Sequence, residues 1–323
     1  MRRILASGDT VRIYDMDDSD WLWEFDHKVD SRFQKGGEYA GFNGPNDSKM
    51  RQDVNGNEYI VLTGGGFAMV IGYHDRPYQP SDLLRIVKTG GGPHAVEVLP
   101  DWSLVSASPG GDEVRVHRSG QDDWTHRLDD AHGLLWDDTA EILWALGRHG
   151  SPRKSGGHGV LRAYRYLGSE AQEPLKQVGE HKVPTYPEQL KELASKYDRE
   201  EWKQLGAYDG WWESPHDITP IPGSRSFYIT TDARVFRFDL DAGGIEDVSP
   251  KFEYLPEIKG LSVHPDNGEI AVLKNDVPGG YTSEYIRFFD PRGERKVGAH
   301  GDYKVRWADN DPKWTPALKQ APV

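Results

Sequence analysis

The sequence predicts an all-β fold, a six-bladed β-propeller, and three observations carry that reading. First, three strand openings superimpose: Pro93-His94-Ala95-Val96-Glu97-Val98, Ala131-His132-Gly133-Leu134-Leu135-Trp136 and Pro215-His216-Asp217-Ile218-Thr219-Pro220. Each is followed, after a polar turn, by a second apolar run: Leu104 to Ala107, Ile142 to Ala145, and Phe227 to Thr230. Second, 36 glycines and an aromatic share of 11% suit many short strands joined by tight turns. Third, the chain starts on strands that lack an inner partner and ends on a strand that lacks a blade, so the two ends complete one another.

The elements follow in order. Arg3 to Ala6, Val11 to Tyr14 and Trp21 to Phe25 read as the outer three strands of blade 1. The Gly-rich stretch 27–49 shows no strand pattern. Blade 2 reads Met50 to Val54, Glu58 to Thr63, Phe67 to Tyr73 and Leu83 to Val87. Blade 3 runs from His94 to Leu128, with turns at Pro100-Asp101 and Gly110-Gly111-Asp112. Blade 4 begins at His132 and contains Val160 to Tyr164, with an insertion at 148–159. A capping box at Thr185 to Glu188, followed by Leu190, Leu193, Tyr197 and Leu205, predicts a short helical insertion over about 185–213, between blades 4 and 5. Blade 5 runs from His216 through Val235 to Asp239, and blade 6 uses Gly260 to His264, Ile270 to Leu273 and Tyr285 to Phe289. Tyr303 to Trp307 pairs inside blade 1 and closes the ring. All of 1–323 then forms one domain.

Composition excludes several function classes. The formal charge of −13 disfavours a nucleic-acid surface, and the chain has no cysteine for thiol chemistry or disulfides. No apolar run approaches the roughly 20 residues of a membrane helix, so no membrane partner is expected. Met1-Arg2-Arg3 is not followed by an apolar leader segment. The expectation is a cytoplasmic protein, or an exported one whose leader has been removed. Oligomeric state leaves no mark in the sequence.

In a propeller the three superimposed histidines converge on one rim of the central channel. His94, His132 and His216 are therefore the candidate catalytic residues. Aligning the remaining inner strands on their turns puts Lys49 and Lys259 at the same place, with Lys304 or Tyr303 in the closing strand. A repeat can also keep a histidine as a tie between blades. Three of them flanked by lysines favour a site, because convergent charge is costly unless a ligand compensates it. Lys49, Lys259, Arg51, Arg148, His149, Arg234, Trp211 and Trp212 are the candidate substrate-binding residues, as cations for an acidic group or aromatic faces for a sugar. His117 and His126 fall on outer strands and read as surface residues, and His264 falls at the opposite rim. Gly64-Gly65-Gly66 lacks the Lys-Ser/Thr and helix of a phosphate loop.

Ile4 to Asp15 (ILASGDTVRIYD), Gly64 to Ile71 (GGGFAMVI), Pro93 to Ser108 (PHAVEVLPDWSLVSAS), His132 to Gly147 (HGLLWDDTAEILWALG) and His216 to Thr231 (HDITPIPGSRSFYITT) resemble a family of bacterial propeller proteins known as the domain of unknown function DUF6528. More remotely, the arrangement resembles propeller-fold polysaccharide lyases. Among these are oligogalacturonate lyases, whose rim histidines bind a divalent metal, and rhamnosyl-glucuronate lyases, in which a rim histidine transfers a proton.

The function expected on these grounds is β-elimination on a uronic-acid-containing saccharide, with rim histidines as acid and base and no cofactor. One alternative is a metal-dependent enzyme in which His94, His132 and His216 hold a divalent metal. Another is a non-catalytic receptor for a small acidic saccharide.

Overall fold

The structure is a computed structural model that describes residues 2–16, 21–150, 158–184, 214–275, 282–289, 292–296, 301–309 and 311–320. The helical insertion expected at 185–213, and with it Trp211 and Trp212, lies outside the described residues.

Six four-stranded antiparallel sheets form the blades of a propeller. From the channel outward, blade 1 is Asp302–Trp307, Arg3–Gly8, Val11–Asp15 and Trp21–Phe25. The C-terminal strand is thus the inner strand of the N-terminal blade, as the orphan strands at the two ends predict. Blade 2 is Asp47–Gln52, Glu58–Gly64, Phe67–Gly72 and Leu83–Lys88. Blade 3 is Ala95–Val98, Leu104–Ser108, Glu113–His117 and Trp124–Arg127. Blade 4, with the longest strands, is Asp129–Asp137, Ile142–His149, His158–Tyr166 and Leu175–Val183. Blade 5 is Pro215–Ile221, Ser226–Thr231, Val235–Asp239 and Gly244–Asp247. Blade 6 is Ile258–Val263, Ile270–Lys274, Tyr285–Phe289 and Arg292–Lys296. No helix among the described residues is long and apolar enough to cross a membrane.

Each pair of neighbouring blades buries an apolar cluster of its own. Leu5, Ile13 and Phe25 meet Met50, Ile60 and Met69 between blades 1 and 2. Val105 and Val116 meet Trp136 and Leu143 between blades 3 and 4. Between blades 6 and 1, Leu273 and Ile286 meet Ile4, Val305 and Trp307. Three further clusters fill the other interfaces, so no seam in the ring is left unpacked. Full burial of one such large side chain stabilises by roughly 1.5–3 kcal/mol. The strandless stretch after blade 1 packs Phe33 and Phe42 against Phe25, with ring centroids 5.7 and 6.3 Å away.

Beyond the closing strand the chain turns across the face opposite the histidine rim. The Trp314 ring stands edge-on to Phe227 at 5.9 Å. The Leu318 carbonyl accepts from the Val54 amide at 3.0 Å, and the Trp102 indole donates to the Lys319 carbonyl at 2.9 Å. The tail thereby straps blades 5, 2 and 3 together, a role the sequence reading did not assign to it.

Candidate functional site

The inner strands do not enter the ring smoothly. In blade 5, Pro215 pairs with Thr231 and the next pair is Asp217 with Thr230, so His216 is skipped. Blade 6 skips Lys259 in the same way, and blade 1 skips Tyr303. In blade 4 the irregularity lies between Asp129 and Gly133 and takes in His132. A bulge of this kind re-aims a side chain. Here it brings side chains from neighbouring strands together at one end of the channel.

The position two residues earlier shares a second property. Gly44, Gly92 and Gly301 have φ of 119°, 63° and 67°, and Asp130 and Glu257 have φ of 51° and 61° at the same place. Glycine adopts this left-handed conformation freely, whereas other residues lose roughly 1 kcal/mol or more in it. Blades 4 and 6 accept that cost and gain a carboxylate behind the rim.

The three predicted histidines do come together. Ring centroids of His94 and His132 are 4.7 Å apart, and those of His132 and His216 are 5.6 Å apart, both edge-on. Tyr303 joins from the closing strand, its hydroxyl 3.3 Å from His94 Nδ1. Lys259 joins from blade 6, its Nζ 2.7 Å from His216 Nε2. His132, His216, Lys259 and Tyr303 are all buried.

Hydrogen-bond partners fix the state of His132. Its Nδ1 lies 2.9 Å from the Asp130 carbonyl oxygen and 3.2 Å from the Asp130 carboxylate. Both partners only accept, so Nδ1 carries the hydrogen, and a neutral His132 has its lone pair on Nε2. Burial opposes ionisation of Asp130, but its contacts with His132 and the bond from Ser214 outweigh it and hold the carboxyl below its usual range. The Ser214 hydroxyl donates to Asp130, and the Ser214 amide donates to Asp232 at 3.1 Å.

Around His216 two side chains meet at one ring nitrogen. Nε2 touches both Asp232 Oδ1 and the Lys259 ammonium. Burial pushes the Asp232 carboxyl up to about 6. Burial, then the nearby Lys259 charge, pushes His216 well below the usual imidazole range. Its Nδ1 is buried and has no partner among the described residues. His94 is likewise lowered, by burial first and then by His132 and Lys304. Burial also raises the Tyr303 phenol, which therefore stays protonated.

A divalent metal does not fit the three histidines. Among the described residues, the group whose ligand atoms lie within 4.8 Å of one another is His216, Asp232 and Glu257. The Lys259 ammonium already sits among those three, 2.8 Å from Glu257 and 3.7 Å from Asp232. A second cation there would meet a fixed positive charge.

Several expected residues lie elsewhere. Lys49 is not at the rim, because the inner strand of blade 2 starts at Asp47 rather than Met50, and the rim position falls to Asn46. Lys49 points deeper, to Glu97 at 3.1 Å and the Leu134 carbonyl at 2.7 Å. Arg51 lies deeper still and pairs with Glu97 at 2.8 Å. Arg234 is buried and paired with Asp247 of an outer strand. Arg148 is buried opposite Asp129, and His149 is exposed and stacked on His158 at 5.3 Å. Contrary to expectation, His117 is buried rather than surface-facing: its Nε2 is 3.0 Å from the Ser106 hydroxyl and its Nδ1 is 2.8 Å from Asp123. That triad ties strands of blade 3 together, and its serine is fully enclosed.

Sequence reasoning missed Asp130, Ser214, Asp232 and Glu257. A signal existed for three of them: Asp130, Ser214 and Glu257 each stand two residues before a rim residue. Asp232 follows the second strand of blade 5 and repeats nowhere.

No family model matches this chain, and no curated protein matches it, so the resemblance to DUF6528 and to polysaccharide lyases finds no support there. Among solved structures, a protein of unknown function from Bacteroides caccae is similar at 10% identity and a TM-score of 0.55, over 94% of this chain and 98% of that one. Virginiamycin B lyase from Staphylococcus aureus gives 8% identity and a TM-score of 0.47, over 90% of this chain and 78% of that one. A catalytically inactive variant of that lyase with quinupristin gives 12% and 0.46, over 82% and 70%. The first is a likeness of fold alone. The two lyase structures are too distant to carry a functional argument.

Proposed function

We propose that the histidine rim performs proton transfer in a β-elimination on a carboxylate-bearing saccharide, a uronic acid linked through O4. The observation that carries this reading is the Asp130–His132 pair, which leaves His132 Nε2 as a base amid buried imidazoles and a lysine. His132 Nε2 takes the proton from C5. The C5–H electrons form the C4–C5 double bond as the C4–O4 bond breaks. Lys259 stabilises the negative charge that grows on the carboxylate, and such a placed donor is worth most in a dry site. The Tyr303 hydroxyl, backed by His94, returns a proton to the departing oxygen. Each positioned proton transfer contributes roughly 10²–10⁴-fold.

The test is incubation with a panel of uronic-acid oligosaccharides while following the ultraviolet absorbance of an unsaturated product. Saturable binding of those saccharides without any product would make the protein a receptor and end the lyase reading.

A further inference from the structure

Behind the histidine rim, one residue touches both of the buried carboxylates that back it. Ser214 stands two positions before His216 and is itself buried. Its hydroxyl donates to Asp130 Oδ2. Its amide donates to Asp232 Oδ2 at 3.1 Å, and its carbonyl accepts from the Asp232 amide at 3.0 Å. Each carboxylate turns its other oxygen to its own histidine: Asp130 Oδ1 lies 3.2 Å from His132 Nδ1, and Asp232 Oδ1 meets His216 Nε2. Asp130 belongs to blade 4, and Asp232 follows the second strand of blade 5, so Ser214 spans the seam between two His–Asp pairs.

The two halves of Ser214 respond differently to substitution. The amide is backbone and survives a change of side chain, whereas the hydroxyl is lost. No other hydrogen bond reaches Asp130 Oδ2 among the described residues. A donor to an ionised carboxylate favours ionisation, and its loss shifts a titration upward by about one to two units. Asp130 and His132 touch, so that shift belongs to the pair. Burial works against the Asp130 charge, and contacts with His132 and this hydroxyl overcome it, while burial pushes Asp232 up to about 6. The surroundings of the pair do not change with the side chain of Ser214. Asp112 of blade 3 takes the Asp130 amide at 3.0 Å, and Asp129 turns away to Arg127 and the Gly150 amide. His94 and His216 flank the His132 ring, with Tyr303 beyond His94 and Lys259 beyond His216.

We propose that Ser214 is a positioning residue of the rim: its hydroxyl keeps Asp130 ionised, and thereby keeps His132 Nε2 open to a proton, while its amide serves Asp232. This deepens the proposed function and rests on that reading only for its effect on rate.

The experiment is an NMR titration of the full chain with isotope-labelled histidine rings, in the wild type, Ser214→Ala and Ser214→Cys. The His132 and His216 signals are assigned by their loss in His132→Gln and His216→Gln. In Ser214→Ala the midpoint read at His132 should rise by about one unit or more. The midpoint read at His216 should move much less, because the amide remains. Ser214→Cys refills the space with a weak donor and should shift His132 in the same direction as Ala. If a uronic oligosaccharide is cleaved, the acid limb of kcat/KM against pH should rise together with the His132 midpoint. The proposal is overturned if Ser214→Ala titrates like the wild type at His132, or if both histidines move equally, which would mean general loosening. It is overturned equally if Ser214→Cys titrates like the wild type, which would assign the role to packing. Failure to form any product ends the lyase reading and leaves these midpoints just as readable.

Discussion

His132 is oriented by a residue only two positions before it: its Nδ1 donates to both the carbonyl and the carboxylate of Asp130. His132 and the group that sets its tautomer therefore arrive on one strand, and the Asp130 backbone beside the ring is left-handed. Asp130→Asn keeps the size but offers an amide hydrogen where an acceptor was. Turnover should fall by about 10²-fold or more with KM little changed, because the wrong tautomer costs rate rather than binding. Steady-state kinetics on a cleaved uronic oligosaccharide check it.

The left-handed backbone at Glu257 gives a second expectation. Glu257→Ala and Glu257→Gly both remove the partner of Lys259, but only glycine relieves the backbone. The Gly variant should be more stable than the Ala variant by about 1 kcal/mol. Urea denaturation of the two separates backbone strain from the lost ion pair.

Asp302 should make stability depend on pH. Its carboxyl is buried, one oxygen has no partner among the described residues, and burial pushes its pKa up to about 7. In the unfolded chain it titrates near 3.9. The folded state therefore keeps a proton that the unfolded state gives up between those values. The stability contributed is complete below about pH 4 and is lost as pH rises through about 7. Asp302→Asn should remove this decline and be more stable than the wild type near pH 8, by roughly 2–4 kcal/mol at 1.36 kcal/mol per pKa unit. Denaturation curves across that range measure the difference.

Deleting the chain from Asp302 onward removes the inner strand of blade 1 and leaves Arg3–Gly8 as an open edge. Unpaired strand edges recruit other chains, so the truncated protein should aggregate, and light scattering should report it. A monomeric truncation that keeps its thermal transition would mean the ring does not depend on that strand.

The fold was legible because blade strands repeat, and the closing strand because each end of the chain lacked what the other supplied. The histidine rim was legible for the same reason. Lys49 was misplaced because the turn after the blade 2 strand was used as the anchor. Gly44-Pro45-Asn46 matches Gly92-Pro93-His94 and the Pro215-His216 opening, and anchoring on the proline gives Asn46 directly. Asp232 was not legible, since a carboxylate that reaches the rim from a second strand depends on how two strands are staggered. The tail was not legible either: Trp314 and Leu318 are buried by a crossing over several blades that no local pattern records.

The crossed cations of the channel have a consequence for traffic. Lys49 of blade 2 reaches the blade 4 backbone, Lys304 of blade 1 reaches the blade 3 backbone at 2.9 Å, and Arg306 of blade 1 grips Asp217 of blade 5. These struts bar the bore, so nothing threads through the molecule from face to face. On the proposed lyase reading, a polymer is therefore handled side-on or by its tip, and product leaves by the face at which substrate arrived.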